Sequence, residues 1–282
     1  MKAKGYGNLA LLRVFLADRF TGWRDDLQQQ SDWPRFLEGC PPPGVAQVSE
    51  ALEIAEEASV WPGRLAARHA NALEGSHVCL PFEHIEPSDV RVVVLGQDPY
   101  PTIEAATGRA FEDGTPDAAA RALRPALRVL GQSALDVQGQ ALPEGFCHGL
   151  AERAETIRRC FDRLAEQGVL CLNASWTYTE SAHLSAHRSF WNPVSSYLVR
   201  QLTRRPEGCP VFLLLGGEAQ QFFDRLLLED VPPEAIVRNR HPTERDNLYF
   251  AEPNPLKSVN EAIRRVSNTE PIEWWSRPVD RF

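Results

Sequence analysis

The sequence predicts an α/β protein: three α/β/α layers around a central, mainly parallel four-stranded sheet flanked by helices. Two observations carry this. First, four apolar runs are too short for helices: RVVVLG at 91–96, VLCLN at 169–173, VFLLLGG at 211–217 and AIVRN at 235–239. They are nearly continuous in apolar residues, as strands of a parallel sheet covered on both faces are. Second, longer amphipathic stretches alternate with these runs, and alternating strands and helices build a parallel sheet.

In chain order, residues 1–80 read as a mostly helical N-terminal part, broken at PPPG (41–44) and WPG (61–63). NLALLRVFL at 8–16 reads as an amphipathic surface helix. Arg13 interrupts it and Asp18 and Arg19 follow, which is unlike a cleaved leader. An α/β core spans 81–267. Between its first two strands, Leu150, Ala154, Ile157, Phe161 and Leu164 share one helix face, and Gly168 stops that helix. Further helices are expected at 193–204, 218–228 and 257–266. The tail, 268–282, has no periodicity, and Trp274 and Trp275 are expected to dock it. The whole chain, 1–282, reads as one domain.

Composition narrows the function. A 43% hydrophobic content supplies a sizeable core, and 38 acidic against 30 basic residues give a net charge of −8. That balance excludes a protein that coats nucleic acid by bulk charge and leaves room for a local grip. None of the six cysteines forms C-x-x-C. They read as reduced and structural, which implies a cytoplasmic protein. The His and Cys residues lack ligand spacing, so neither metal nor cofactor is expected. No apolar run approaches the roughly 20 residues of a membrane span.

Polar residues unlike those of a core follow each strand: Gln97, Asp98 and Tyr100 the first, Asn173 the second, Gly216 and Gly217 the third, His241 and Thr243 the fourth. In a parallel sheet these ends share one edge, where ligands bind. Four such groups together predict a site.

These residues also carry a resemblance. GQDPY at 96–100, GRAF at 108–111, VLCLNASWT at 169–177, SAHRSFWNPV at 185–194, FLLLGGEAQ at 212–220 and RHPTERDN at 240–247 follow one another over roughly 81–265. In sequence and order they resemble the uracil-DNA glycosylases, most of all their family-one type. The resemblance implies a monomer that flips deoxyuridine from single- or double-stranded DNA. It would hydrolyse the N-glycosidic bond without cutting the strand, release free uracil and leave an abasic site.

Cleaving that bond leaves a cationic sugar and expels the base as an anion. Asp98 would stabilise the cation and orient a water, with Pro99 fixing the backbone beside it. His241 would donate to uracil O2, by resemblance as a neutral imidazole. The Asn173 carboxamide would match uracil N3–H and O4 and reject cytosine, which presents the opposite pattern. Phe111 would stack on the extruded base. Gln97 would supply backbone contacts, and the Tyr100 ring would leave no space for the thymine methyl. DNA contacts are expected from Gly216, Gly217, Arg240, Thr243, Arg245 and His187.

The chain also departs from the family. Pro101 stands where a His usually follows GQDPY, and Ala126 where a Ser would meet phosphate. Gly216-Gly217 replaces the usual Gly-Ser. HPTER replaces HPSPL, which puts Arg245 in the place of the leucine that enters the duplex. From the sequence, two alternatives stay open: a broader mismatch or damaged-base glycosylase, and a catalytically weak protein that binds uracil-containing or abasic DNA. Against the first stand Tyr100 and Asn173; against the second stands the retention of Asp98 with His241.

Overall fold

A computed structural model describes residues 8–115, 124–137, 139, 154–244 and 249–275. After β1 (Leu9–Leu11), α1 (Leu12–Phe20), α2 (Trp33–Phe36) and β2 (Glu53–Ala55), the chain enters the central sheet at β3 (Val92–Gly96). Then come α3 (Pro125–Val137), α4 (Ala154–Glu166), β4 (Val169–Asn173), α5 (Leu184–Arg204), β5 (Val211–Leu215), α6 (Gly217–Arg225), β6 (Ile236–Asn239) and α7 (Pro255–Val266). The sheet has the order β4-β3-β5-β6, and every pair in it is parallel.

Alternation along the strands divides the core in two. Val93, Leu95, Leu170, Leu172, Phe212 and Leu214 face one cluster, shared with α5, α6 and the N-terminal segment. Val92, Val94, Val169, Cys171, Val211 and Leu213 face the other, shared with α3, α4 and α7. Strand side chains point alternately to opposite faces, so runs without polar residues must be covered twice. That produces the three layers.

The N-terminal part is less helical than expected. Among the described residues before 81, α-helix is confined to α1 and α2, and several 3₁₀ turns join them. Asn8–Leu11 is extended rather than helical, and β1 pairs antiparallel with β2. The segment is held by large single anchors, Phe20, Trp23, Trp33 and Leu37, each at most 1% exposed. Trp23 meets Trp176 edge-on at 4.9 Å, and Trp176 stacks on Trp191 at 4.6 Å. Buried aromatics of this size bind a segment without a repeating apolar face.

The helix expected at 193–204 begins nine residues earlier, at Leu184. Pro193 removes one helical donor. The helix nevertheless runs through it because Phe190, Trp191 and Val194 are fully buried. Gly216 and Gly217 lie beyond β5, and Gly217 opens α6. In α4, Ile157, Phe161 and Leu164 are buried as expected, and Gly168 ends the turn with φ +87°. Leu150 lies outside the described residues. Trp274 and Trp275 dock the tail, each 6% exposed. The five described cysteines are free, and Cys147 lies outside the described residues. No described helix is long and apolar enough to cross a membrane.

Candidate active site

The carboxyl ends of β3, β4 and β6 converge on one cavity of ≈ 220 Å³. Gln97, Asp98, Tyr100, Phe111, Asn173, His241 and Thr243 all line it. Register explains the meeting: Gly96 lies opposite Asn173, so the turn after β3 and the last side chain of β4 reach the same height. No described group of three or more His, Cys, Asp or Glu could hold a metal ion.

Gly96 makes room at the base of the cavity. A Cβ there would lie 2.5 Å from Asn173 Oδ1, 2.9 Å from Ala110 Cβ and 3.5 Å from Phe111 Cε2. Asn173 is 4% exposed and fixed on the last strand residue. Phe111 adopts φ +66°, a conformation uncommon for a bulky residue. Its neighbours hold it there. The next residue, Glu112, is 1% exposed and accepts from Thr107 Oγ1 at 2.9 Å and Arg158 Nε at 2.5 Å. The Phe111 carbonyl accepts from the Tyr100 hydroxyl at 3.3 Å.

Tyr100 is clamped from several sides. Its carbonyl accepts from Trp61 Nε1 at 3.0 Å, and Trp61 in turn pairs with Tyr178 as an isolated antiparallel bridge. The Arg124 guanidinium lies 5.2 Å from the ring centre. Burial pushes the phenol well above its usual range, so it stays protonated. The irregular N-terminal segment therefore reaches the site, through Trp61.

His241 is held in place by Thr243. The Thr243 backbone N–H donates to Nδ1 at 3.2 Å, and the Thr243 hydroxyl lies 2.7 Å from the same nitrogen. An accepting Nδ1 places the imidazole proton on Nε2. Burial lowers the pKa of His241, with Glu244 opposing. Gly216 supports the ring from below: at φ +92° it has no Cβ, and one there would lie 2.9 Å from His241 Cβ. The Phe111 and His241 ring centres are 6.0 Å apart.

Asp98 has a partner that the sequence did not announce. Arg188 on α5 donates to it twice, Nε to Oδ1 at 3.2 Å and Nη2 to Oδ2 at 2.6 Å. The remaining nitrogen, Nη1, meets Glu218 at 3.1 Å. The two residues stand 90 positions apart, and no local pattern links them.

The expected DNA-binding residues fare differently. Gly216 and Gly217 lie next to the cavity without lining it, and Arg240 is exposed just past β6. Thr243, expected on DNA, is exposed and bonded to His241. Arg238, on β6, pairs with Asp224 at 2.5 Å. Arg245 lies outside the described residues.

His187 is a correction. It is fully buried, with Nδ1 2.8 Å from Thr177 Oγ1 and Nε2 3.0 Å from Thr179 Oγ1, so it cannot touch DNA. It lies on the buried face of a helix whose next residue, Arg188, faces the site. Burial, and secondarily His183, push its pKa down to about 3. The unfolded chain binds this proton near pH 6.5 and the folded chain only near 3, so acidification between those values favours unfolding, by up to about 1.4 kcal/mol per pH unit. His187→Gln is expected to lose less thermal stability than wild type between pH 6.5 and 4.5. Parallel melting curves in which both lose equally would show that His187 is not held neutral.

Known proteins resemble the chain in both sequence and fold. The sequence model of the uracil DNA glycosylase superfamily matches residues 82–265. A uracil-DNA glycosylase of Bordetella petrii is 32% identical over 235 residues, 82% of this chain and 78% of that one. One from Lactobacillus delbrueckii subsp. bulgaricus is 29% identical over 206 residues, 72% of this chain and 79% of that one. Two solved structures share the fold. The mimivirus UNG Y322L variant, in complex with UGI, aligns with TM-score 0.60 at 17% identity, over 97% of this chain and 98% of that one. The wild-type UNG of Nitratifractor salsuginis aligns with TM-score 0.52 at 20% identity, over 88% and 90%. The family match covers more than half of the chain and the Bordetella relative most of its length, so the chain belongs to the uracil DNA glycosylase superfamily.

Proposed function

We infer that the protein is a uracil-DNA glycosylase of base excision repair, a monofunctional hydrolase of the N-glycosidic bond. The observation that carries this is the convergence of Asp98, Asn173 and an Nε2-protonated His241 on one cavity. A flipped deoxyuridine places its base against Phe111, with Asn173 on the N3–O4 edge and Tyr100 against C5. As the bond from C1′ to N1 breaks, its electron pair passes to the uracil ring. The His241 Nε2–H donates to O2, where the charge gathers. Asp98 lies on the sugar side, where a carboxylate stabilises the cation and orients the water that adds to C1′. The proton released by that water neutralises the departing uracil. No lysine is marked as an imine-forming nucleophile, so the strand is left uncut.

The finer reading is a monomer that takes deoxyuridine from single- or double-stranded DNA in a reducing cytoplasm. The free described cysteines support the compartment, and the monomer rests on the resemblance alone. The backbone amide of Gly217 at the start of α6 and the exposed Arg240 would meet phosphate in this reading.

The test is base release from duplexes carrying a single uracil, thymine or cytosine, without added metal. Uracil alone is expected to appear. Comparable thymine or cytosine release would favour the broader mismatch enzyme. Tight binding of uracil-containing or abasic DNA without release would favour the binding protein.

A further inference from the structure

A carboxylate that must stabilise a cation is here already bonded to one. Arg188 engages both oxygens of Asp98, and Asp98 is only 9% exposed. An isolated pair of this kind has no net charge, so a cationic sugar would meet a dipole instead of an anion. Glu218 changes that balance. It binds the third guanidinium nitrogen at 3.1 Å, and Asp98, Arg188 and Glu218 together carry a net charge of −1.

The unit is also rigidly built. Arg188 stands in the second turn of α5 and Glu218 in the first turn of α6, where an acidic side chain suits the helix dipole. The planar fork fixes the carboxylate plane, which a lysine would not. Each Asp98 oxygen can still accept one more hydrogen bond, from a water or from the sugar side of the cavity.

We propose that Arg188 and Glu218 are positioning residues of the reaction: Arg188 fixes the orientation of Asp98, and Glu218 offsets the arginine charge so that the site presents a negative charge to the sugar. This rests on the reading of the site as one that cleaves an N-glycosidic bond through a cationic sugar. Behind the pair, a groove of ≈ 490 Å³ between α5 and α6 is lined by both Arg188 and Glu218. Small ions can reach the arginine position through it.

Two measurements test the proposal. The first is steady-state uracil release by wild type, Arg188→Ala, Arg188→Lys and Glu218→Gln, with and without guanidinium ion. The second is the ratio of affinities for two abasic duplexes, one carrying a cationic pyrrolidine and one a neutral tetrahydrofuran. Arg188→Ala is expected to lower kcat about 10- to 100-fold, the scale of a misplaced reacting group, with KM within about threefold. Guanidinium should restore several-fold of that loss, and lysine should fall between. Glu218 is 51% exposed, so solvent screens it. Its glutamine variant is expected to lower kcat and the cationic preference by only about threefold.

The proposal fails if Arg188→Ala keeps kcat within twofold of wild type, or loses it with no response to guanidinium. It also fails if Glu218→Gln leaves the cationic preference unchanged. Absence of uracil release by wild type would instead overturn the parent reading.

Discussion

Asp98→Asn is expected to lower kcat for uracil release by about 10²–10³-fold, with KM for the uracil duplex changed by less than about threefold. The substitution keeps the shape and removes the charge. It also leaves Arg188 without its carboxylate, so the unit of Asp98, Arg188 and Glu218 turns from a net charge of −1 to neutral just where the sugar becomes cationic. His241→Leu is expected to cost a similar factor from the other end of the same bond, by removing the Nε2–H donor fixed through Thr243. Because both act on one charge separation, the double variant should lose less than the product of the two factors. The neutral donor has its own signature. The pKa of His241 is depressed by burial, so activity should persist as pH falls through 6.5, the ordinary imidazole value. Single-turnover kinetics over pH 5–8 on wild type and both variants would check this. An acid limb at or above pH 6.5 that disappears with His241→Leu would contradict the neutral donor.

Some of this machinery was legible in the sequence because it is local. GQDPY, the Asn-ended strand and the His-Pro loop each sit at the end of an apolar run, and parallel pairing brings such ends to one edge. The strands β3, β4 and β5 were visible for the same reason: a run covered on both faces needs no partner to be recognised. Interactions between distant segments were not legible. Arg188 follows a buried histidine in a helix that begins before its proline, and nothing near it in sequence points to Asp98. Trp61 reaches Tyr100 from a segment that has no periodicity to read. His187 looked like a polar residue of a functional stretch, and only its full burial between Thr177 and Thr179 shows it to be part of the packing. The bond from Thr243 to His241 was not legible either, because a threonine in a basic loop gives no sign of what its hydroxyl meets.

Gly96→Ala is the smallest change expected to disable the site, by about 10²-fold or more in kcat/KM, since a displacement of about 1 Å at a reacting group has that cost. The backbone of Gly96 has no positive φ, so the alanine backbone itself is unstrained. What fails is space. The new methyl would lie 2.9 Å from Ala110 Cβ, which sits directly on the main chain, and the Ala110 N–H is bonded to the Cys171 carbonyl at 3.2 Å. Ala110 therefore cannot yield easily. The atom left to move is Asn173 Oδ1, at 2.5 Å, and Asn173 is the side chain proposed to read the uracil edge. Overpacking of this size costs about 1–3 kcal/mol of stability, which a domain with a core on both sheet faces can tolerate. The protein should then fold, bind abasic DNA much as wild type does, and lose both uracil release and inhibition by free uracil. Melting temperature, abasic-duplex affinity and uracil inhibition measured together separate this outcome from simple unfolding. A folded Gly96→Ala enzyme with kcat/KM within about threefold of wild type would mean that Asn173 can shift without losing the base, and that this glycine is not what shapes the pocket.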